Sequence, residues 1–377
     1  MTMLDWLLDL QKLRAMREGV LASARRGDRG QVDRAEAAVR EDPRRISFDA
    51  DETATVSVPG RSYAAGRFET PTIGELRTRA AARASTGAPA EPRFAVVLGA
   101  DPVTDIGALQ AVASAGTLFE VASQFNCLEA PGPYLTAIAD YFHDSTQGPR
   151  AAVSAFPGAL VRHYAAASAD GTRFVQSGAR QINLLADAVP GSIAEVASGY
   201  LRSHDVKNIP GLARALEDGF DAIRVGVHDD VQVVLGYDWD GAVNGDRRIA
   251  QVLTSTYASG YSNHGALGGH EEAICRQLLK AANLGTLLAA VGLGKRTVVL
   301  TAIGGGVFAN PHRLIWESIL WALDQVAPLL PEPLEVIFNA RMFEVARDEL
   351  LADLLARGGC LVTFHQGKVE VAGDIRC

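Results

Sequence analysis

TVVLTAIGGGVFANP, residues 297–311, is the stretch on which the reading of this chain turns. Its first seven residues, Thr297 to Ile303, are rich in β-branched side chains and carry no charge, as in a strand covered on both faces. Beyond it, Pro311 suits a first helical position, and Leu314, Ile315, Trp316, Ile319, Leu320 and Leu323 recur at helical spacing. Gly304, Gly305 and Gly306 therefore sit at a strand-to-helix turn. Lacking Cβ atoms, they let backbone N–H groups approach a ligand closely, and the helix N-terminus adds a positive partial charge. A pyrophosphate is the natural occupant. The alternative is a tight connection between packed elements, although three glycines exceed what most turns require.

The composition bounds what surrounds this turn. A chain of 377 residues, 48% hydrophobic and 21% charged, is long enough for one large core or two moderate ones. A net charge of -8 argues against a nucleic-acid backbone as main partner. Cys127, Cys275, Cys360 and Cys377 are widely spaced, with neither a disulfide-like pattern nor a CxxC half-site, so a reducing compartment is expected. Leu4, Trp6, Leu7, Leu8 and Leu10 are interrupted by Asp5 and Asp9 and have no basic region before them, which reads as an amphipathic helix and not a signal peptide. No apolar run reaches the roughly 20 residues that span a bilayer, so no membrane partner is expected. The expected compartment is the cytoplasm, with delivery as an effector lacking an ordinary signal as the other route.

The first 50 residues are dense in Arg, Glu, Asp and Ala and read as helix with solvated faces. STGAPAEP, Ser85 to Pro92, marks the expected main boundary. After it, strand-length apolar runs alternate with helical patterns, which favours an α/β layer architecture. Expected strands are Phe94 to Leu98, Leu118 to Ala122, Ala222 to Val227, Val231 to Leu235, Ile249 to Thr254, Thr297 to Ile303, Leu334 to Phe338 and Leu361 to Phe364. Expected helices are Glu271 to Val291, Arg313 to Val326 and Met342 to Ala356.

Gly304, Gly306 and Ala309 also match G-x-G-x-x-A, a variant of the dinucleotide fingerprint. That fingerprint expects an acid about 20 residues on, at the end of the next strand. Here the strand end reads VIFNAR, with Asn339, and only about 70 residues follow the glycines. A nicotinamide-dependent oxidoreductase is accordingly a lesser reading.

LTAIGGGVFANP followed by IWESILWALDQV resembles the phosphate-binding loop and following helix of macrodomains, which bind ADP-ribose. GTLFEVASQFNCLE, Gly116 to Glu129, is similar to the strand and loop of macrodomain-type ADP-ribosyl-arginine hydrolases related to bacterial effectors. AGRFETPTIGELR near Ala65, DSTQGPRAAV near Asp144, QINLLAD near Gln181 and RVGVHDDVQV near Arg224 carry the resemblance from about Tyr63 to Val345. It implies an α/β, macrodomain-like three-layer mixed sheet with helices on both faces. An N-terminal, mainly helical extension and linker over 1–92 would precede the ADP-ribose-binding domain over 93–377. The implied activity is hydrolytic removal of ADP-ribose from arginine side chains, with no cofactor. The implied partner is an arginine-linked ADP-ribosylated protein, ubiquitin being one candidate. A non-catalytic reader of ADP-ribose is the alternative.

The resemblance carries ligand roles to Val307, Phe308 and Asn310, beside the three glycines. Gln124 and Asn126 flank Phe125 just past an apolar strand, where an open α/β sheet presents ligand contacts. There Phe125 would stack on the base and Asn126 bond it, or the segment is a capped strand-end turn. Cys127 has no activating neighbour in sequence and reads as a buried structural thiol. Gln147 and Gly148, in TQGP, would face the ligand from a second helix start, or cap that helix.

Cleaving a ribose–guanidinium bond passes through an oxocarbenium-like state, so carboxylates are the expected tools. HDDVQVVLGYDWDGAVNGD concentrates five aspartates. The resemblance places a functional acid at Asp230 and further ones at Asp238 and Asp246, with Asp240 in reserve and a solvated turn as the alternative for each. Two features depart from the family: Gln232 stands where an acid is expected, and ASGYSNH replaces an apolar segment. GGHEEAI, Gly268 to Ile274, is superficially like the GG-x-QEE element of poly(ADP-ribose) glycohydrolases, although Glu271 and Glu272 also suit a helix start. No histidines have zinc-ligand spacing.

Overall fold

The computed structural model describes residues 3–84, 89–168, 171–261, 267–365 and 368–373. Residues 85–88 of the expected linker, and the last three residues of ASGYSNH, lie outside them. Helices α1 (Met3–Leu7), α2 (Leu10–Ser23) and α3 (Gly30–Glu41) precede strands β1 (Ile46–Phe48), β2 (Ala54–Val58) and β3 (Arg61–Glu69). Then come α4 (Ile73–Arg83), β4 (Arg93–Leu98), α5 (Ile106–Val112), β5 (Thr117–Ala122), α6 (Gln147–Ser154) and α7 (Phe156–Tyr164). A small hairpin, β6 (Ala166–Ala167) with β7 (Arg173–Phe174), leads to α8 (Ile209–Asp218), β8 (Gly226–Leu235) and β9 (Ala242–Thr254). The chain ends with α9 (Gly269–Leu293), β10 (Thr297–Thr301), α10 (His312–Val326), β11 (Glu335–Ala340), α11 (Arg347–Leu355), β12 (Cys360–His365) and β13 (Lys368–Gly373).

One sheet of 11 strands runs β1-β2-β3-β8-β9-β5-β10-β11-β4-β12-β13. Its six inner strands from β9 to β12 are parallel to their neighbours, and the strands on either flank pair antiparallel. The paired stretches of the parallel strands are buried and mostly apolar, because both of their faces are covered. Adjacent residues show the two coverings. Gln251 of β9, in register with Phe119, reaches α6 through Nε2 to Ala151 O at 3.0 Å. Glu120, the next residue of β5, faces Thr286 of α9. Helix α9 lies on that second face with α4, α8 and α10 beside it. The architecture is thus the three-layer mixed α/β sheet that the resemblance implies.

Sheet order fixes where a ligand crevice opens. Beyond β5 the chain turns toward β8 and β9, whereas beyond β10 it turns toward β11. The carboxyl ends of β5 and β10 therefore diverge, and the loops after them, SQFN and the glycines, face each other at a topological switch point.

Four expectations change. The first 92 residues are mainly helical, through α1 to α4, but they do not stand apart as an extension: β1, β2 and β3 join the main sheet through β3 and β8. They enclose a second core of Val32, Val39, Val56, Tyr63, Phe156, Leu160 and Trp239, so a boundary at residue 92 would cut through hydrogen-bonded structure. The strands expected over 222–227 and 231–235 are one strand, β8, with a bulge between His228 and Val231. Its Asp pair gave a false break, since bulge positions tolerate turn residues. The helix expected from Met342 begins at Arg347, and Pro311 is the residue before α10, not its first.

Candidate functional site

Between β10 and α10 the glycine loop is longer than a tight turn. Gly304 has φ 72°, a backbone conformation that favours glycine, and Ala309 also lies at positive φ. Helix α10 starts only at His312, so Ala309 is not the helical third position that a dinucleotide fingerprint needs. Asn310, 2% exposed, holds the loop: its Nδ2 donates to Tyr257 O at 2.8 Å and to Thr256 Oγ1 and Gly304 O, each at 3.2 Å. Its own N–H donates to Gly304 O at 2.9 Å. Gly305 N–H bonds back to Ala302 O, but among the described residues no acceptor meets the N–H groups of Gly306, Val307 and Phe308. Three successive N–H groups without an acceptor beside the start of α10 are an arrangement that suits an anion.

The opposing loop is built inward. Gln124, Phe125, Asn126 and Cys127 are all buried. Phe125 belongs to the main core, so it does not offer a face to a base. Its N–H donates to Gly199 O at 2.8 Å, beneath a covering segment that also contains Gln181. Asn126 Nδ2 donates to Gln181 Oε1 at 2.9 Å and its Oδ1 accepts from Leu128 N–H, so it is a loop lock and not an open base reader. This bond joins two motifs, SQFN and QINLLAD, that the sequence shows only separately. Gln124 Nε2 donates to Ala130 O at 2.8 Å.

A buried polar cluster beneath SQFN holds its backbone. From α7, Arg162 Nε donates to Cys127 O at 3.0 Å, and its Nη1 donates to His228 Nδ1 at 3.0 Å. His228 Nε2 donates in turn to Ala65 O. Burial, reinforced by Arg162, pushes His228 well below the usual histidine range and His163 down to about 3. Tyr141 accepts from Glu129 N–H at 3.0 Å and donates to His163 Nε2 at 2.6 Å. Burial pushes the Cys127 thiol up to about 12, consistent with the structural thiol expected. The same cause holds the Glu129 carboxyl well above its ordinary range.

Gln147 and Gly148 serve the scaffold. Gln147 Oε1 accepts from Ile106 N–H at 2.9 Å. A Cβ on Gly148 would lie 2.1 Å from Ala122 O, so α6 meets the end of β5 only because that residue is glycine. Both are thus used internally, although not as a cap of their own helix: Gln147 holds the start of α5, and α6 has no side-chain cap.

Across the crevice, Tyr200, Tyr261 and Phe308 form an aromatic cluster, with ring centroids 5.5 to 6.1 Å apart. Gly260 N–H and Ser259 Oγ both donate to Phe308 O. Helix α9 brings Glu271 to this end: the Tyr257 hydroxyl donates to Glu271 Oε1 at 3.2 Å, and Glu271 Oε2 accepts from Gly268 N–H. Glu272 is exposed and pairs with Arg276. A cavity of about 560 Å³ lies on the other side of the glycine loop, lined by Gly305, Gly306, Asn310, His312, Arg313 and Glu344. Val307 points outward, 57% exposed. Within this region three buried acceptors have no donor among the described residues: Gln124 Oε1, Glu129 Oε1 and Asn310 Oδ1.

The aspartates lie elsewhere. Asp230, at φ 58° in the bulge of β8, shares Arg248 with Asp246, at 2.8 and 3.0 Å. The neighbouring Asp229 pairs at 2.6 Å with Lys295, just before β10, so this group faces the amino end of the sheet, opposite the glycine loop. Asp238 pairs with Arg150, which also holds Asp105, and Asp240 pairs with Arg29. The structure therefore does not bring Asp230, Asp238 and Asp246 into one cluster, nor Asp230 and Asp246 to the glycine loop. Glu271 is an acid near this end of the loop, through Tyr257, and its sequence signal, GGHEE, is equally that of a helix start.

No family model and no curated protein sequence matches the chain. Solved structures do resemble it. Poly(ADP-ribose) glycohydrolase from Thermomonospora curvata is 13% identical with a TM-score of 0.41, covering 88% of this chain and 100% of that one. The same enzyme bound to the inhibitor ADP-HPD is 14% identical with a TM-score of 0.38, covering 82% and 93%. Poly(ADP-ribose) glycohydrolase from Deinococcus radiodurans in apo form is 12% identical with a TM-score of 0.38, covering 72% and 84%. At such values the likeness carries no residue-by-residue correspondence.

Proposed function

We propose that the crevice at the ends of β5 and β10 binds ADP-ribose and that the chain hydrolyses ADP-ribosyl bonds. The observation that carries this reading is a row of three N–H groups, at Gly306, Val307 and Phe308, that meet no acceptor among the described residues and lie beside the start of α10, an arrangement that suits a pyrophosphate. Arginine is the proposed linkage, on the strength of the SQFN and glycine-loop motifs together. Glu271 is the proposed acid, aligning water or stabilising positive charge at the ribose, with Tyr257 orienting it.

The test is release of ADP-ribose from an arginine-modified protein. Glu271→Gln is expected to lower turnover at least roughly a hundredfold with ADP-ribose affinity within a few fold, the range for one general acid or base. Asp230→Asn and Asp246→Asn are expected to leave turnover within a few fold. Loss of turnover in those two variants, with Glu271→Gln active, would return the chemistry to the aspartates. One observation favours the reader alternative: both carboxylate oxygens of Glu271 are already hydrogen-bonded. Tight binding without release from arginine, glutamate or serine linkages would establish it.

A further inference from the structure

Glu120 has no part in the reading above, yet it lies beneath its central loop. It is 1% exposed and occupies the wedge where β5 and β10 part. Those strands pair from Thr297↔Thr117 to Val299↔Phe119 and no further, while β10 stays paired with β11 as far as Thr301↔Asn339. Where the β5 backbone would continue, its side chain takes over: Thr301 N–H donates to Glu120 Oε2 at 3.0 Å. Three residues later the chain reaches Gly304.

The other carboxyl oxygen is held from α9. Glu120 Oε1 accepts from Thr286 Oγ1 at 3.3 Å, and the same hydroxyl also reaches Ala282 O at 2.9 Å. Thr286 faces Glu120 from α9, the Thr301 backbone faces it from β10, and Val252 is its register partner on β9. Burial pushes the carboxyl up to about 7 against the two hydrogen bonds, and no charged neighbour adds to or offsets this.

We infer that Glu120 is a positioning residue for the glycine loop: its buried carboxyl ties the loop's root on β10 to β5 and α9. The consequence for affinity rests on the reading that this loop binds ADP-ribose.

Two variants and two readouts test this. Glu120→Gln keeps an acceptor for Thr301 and a polar group facing Thr286, whereas Glu120→Ala keeps neither. In the ligand-free protein, amide hydrogen exchange over residues 301–306, corrected for intrinsic rates, is expected to be roughly tenfold faster in Glu120→Ala than in wild type and unchanged in Glu120→Gln. Calorimetric titration with ADP-ribose is expected to show affinity reduced severalfold in Glu120→Ala and close to wild type in Glu120→Gln. Wild-type exchange in Glu120→Ala, or exchange in Glu120→Gln as fast as in Glu120→Ala, would overturn the inference. If no form binds ADP-ribose, the functional reading fails, while the exchange comparison still decides the role of Glu120.

Discussion

Asn310 shows how much one side chain does at this site. Its amide holds Thr256, Tyr257 and Gly304 together, so the loop's free N–H groups are presented by a rigid frame. Asn310→Ala is expected to lower stability by about 1 to 3 kcal/mol, from buried partners left unpaired, and to weaken ADP-ribose binding roughly tenfold or more. Thermal melts and calorimetry read the two effects separately. Glu120 makes the second residue-scale prediction. Its folded value of about 7 lies above the ordinary 4.5, so its contribution to stability is fully present below about pH 4.5 and is lost as pH rises through about 7. The full difference is about 3 kcal/mol. His163 and His228, depressed by burial, work in the opposite direction, weakening the fold as pH falls below the usual histidine value. Subtracting the Glu120→Gln stability profile, measured by denaturant titration, isolates the glutamate.

At the scale of elements, legibility followed chemistry that is local. The β-branched run before the glycines and the periodic Leu314, Ile315 and Trp316 after them were enough to place a strand, a loop and a helix, because each pattern reports burial along its own segment. The roles of Phe125 and Asn126 were not legible in the same way. Whether a strand-end aromatic faces a ligand or the core depends on what covers it, and here the covering segment is contributed by residues more than 50 positions away, through Gln181 and Gly199. Asp230 and Asp246 look like a catalytic pair in a line of text. Their placement depends on the direction of a hairpin, which charge spacing does not encode. The close approach of α6 to β5 gives an element-scale prediction: Gly148→Ala forces a methyl group onto Ala122 O and is expected to cost about 1 to 3 kcal/mol by overpacking, measurable as a lower denaturation midpoint.

For the whole molecule, the pairing of β3 with β8 decides what can stand alone. Sequence composition separates an arginine- and glutamate-rich beginning from an apolar remainder, but strands β1 to β3 complete the sheet and, with α3 and α7, a core of their own. A fragment of residues 93–377 exposes the β8 edge and the apolar side of α7. It is expected to aggregate or to lack a cooperative thermal transition, whereas the full chain melts cooperatively. A cooperative, soluble fragment with wild-type ADP-ribose affinity would show that the first 92 residues are dispensable after all. The same sheet order separates the two ends on which the functional reading depends, with the unpaired N–H groups of the glycine loop at the carboxyl end and the paired aspartates Asp230 and Asp246 at the amino end.

That separation can be read in one titration. Adding ADP-ribose to deuterated, ¹⁵N-labelled protein, with backbone amide resonances followed to saturation, is predicted to shift Gly306, Val307 and Phe308 most and to leave Asp230 and Asp246 unmoved. Saturable shifts centred on Asp230 and Asp246, with the glycine-loop amides unchanged, would contradict the account.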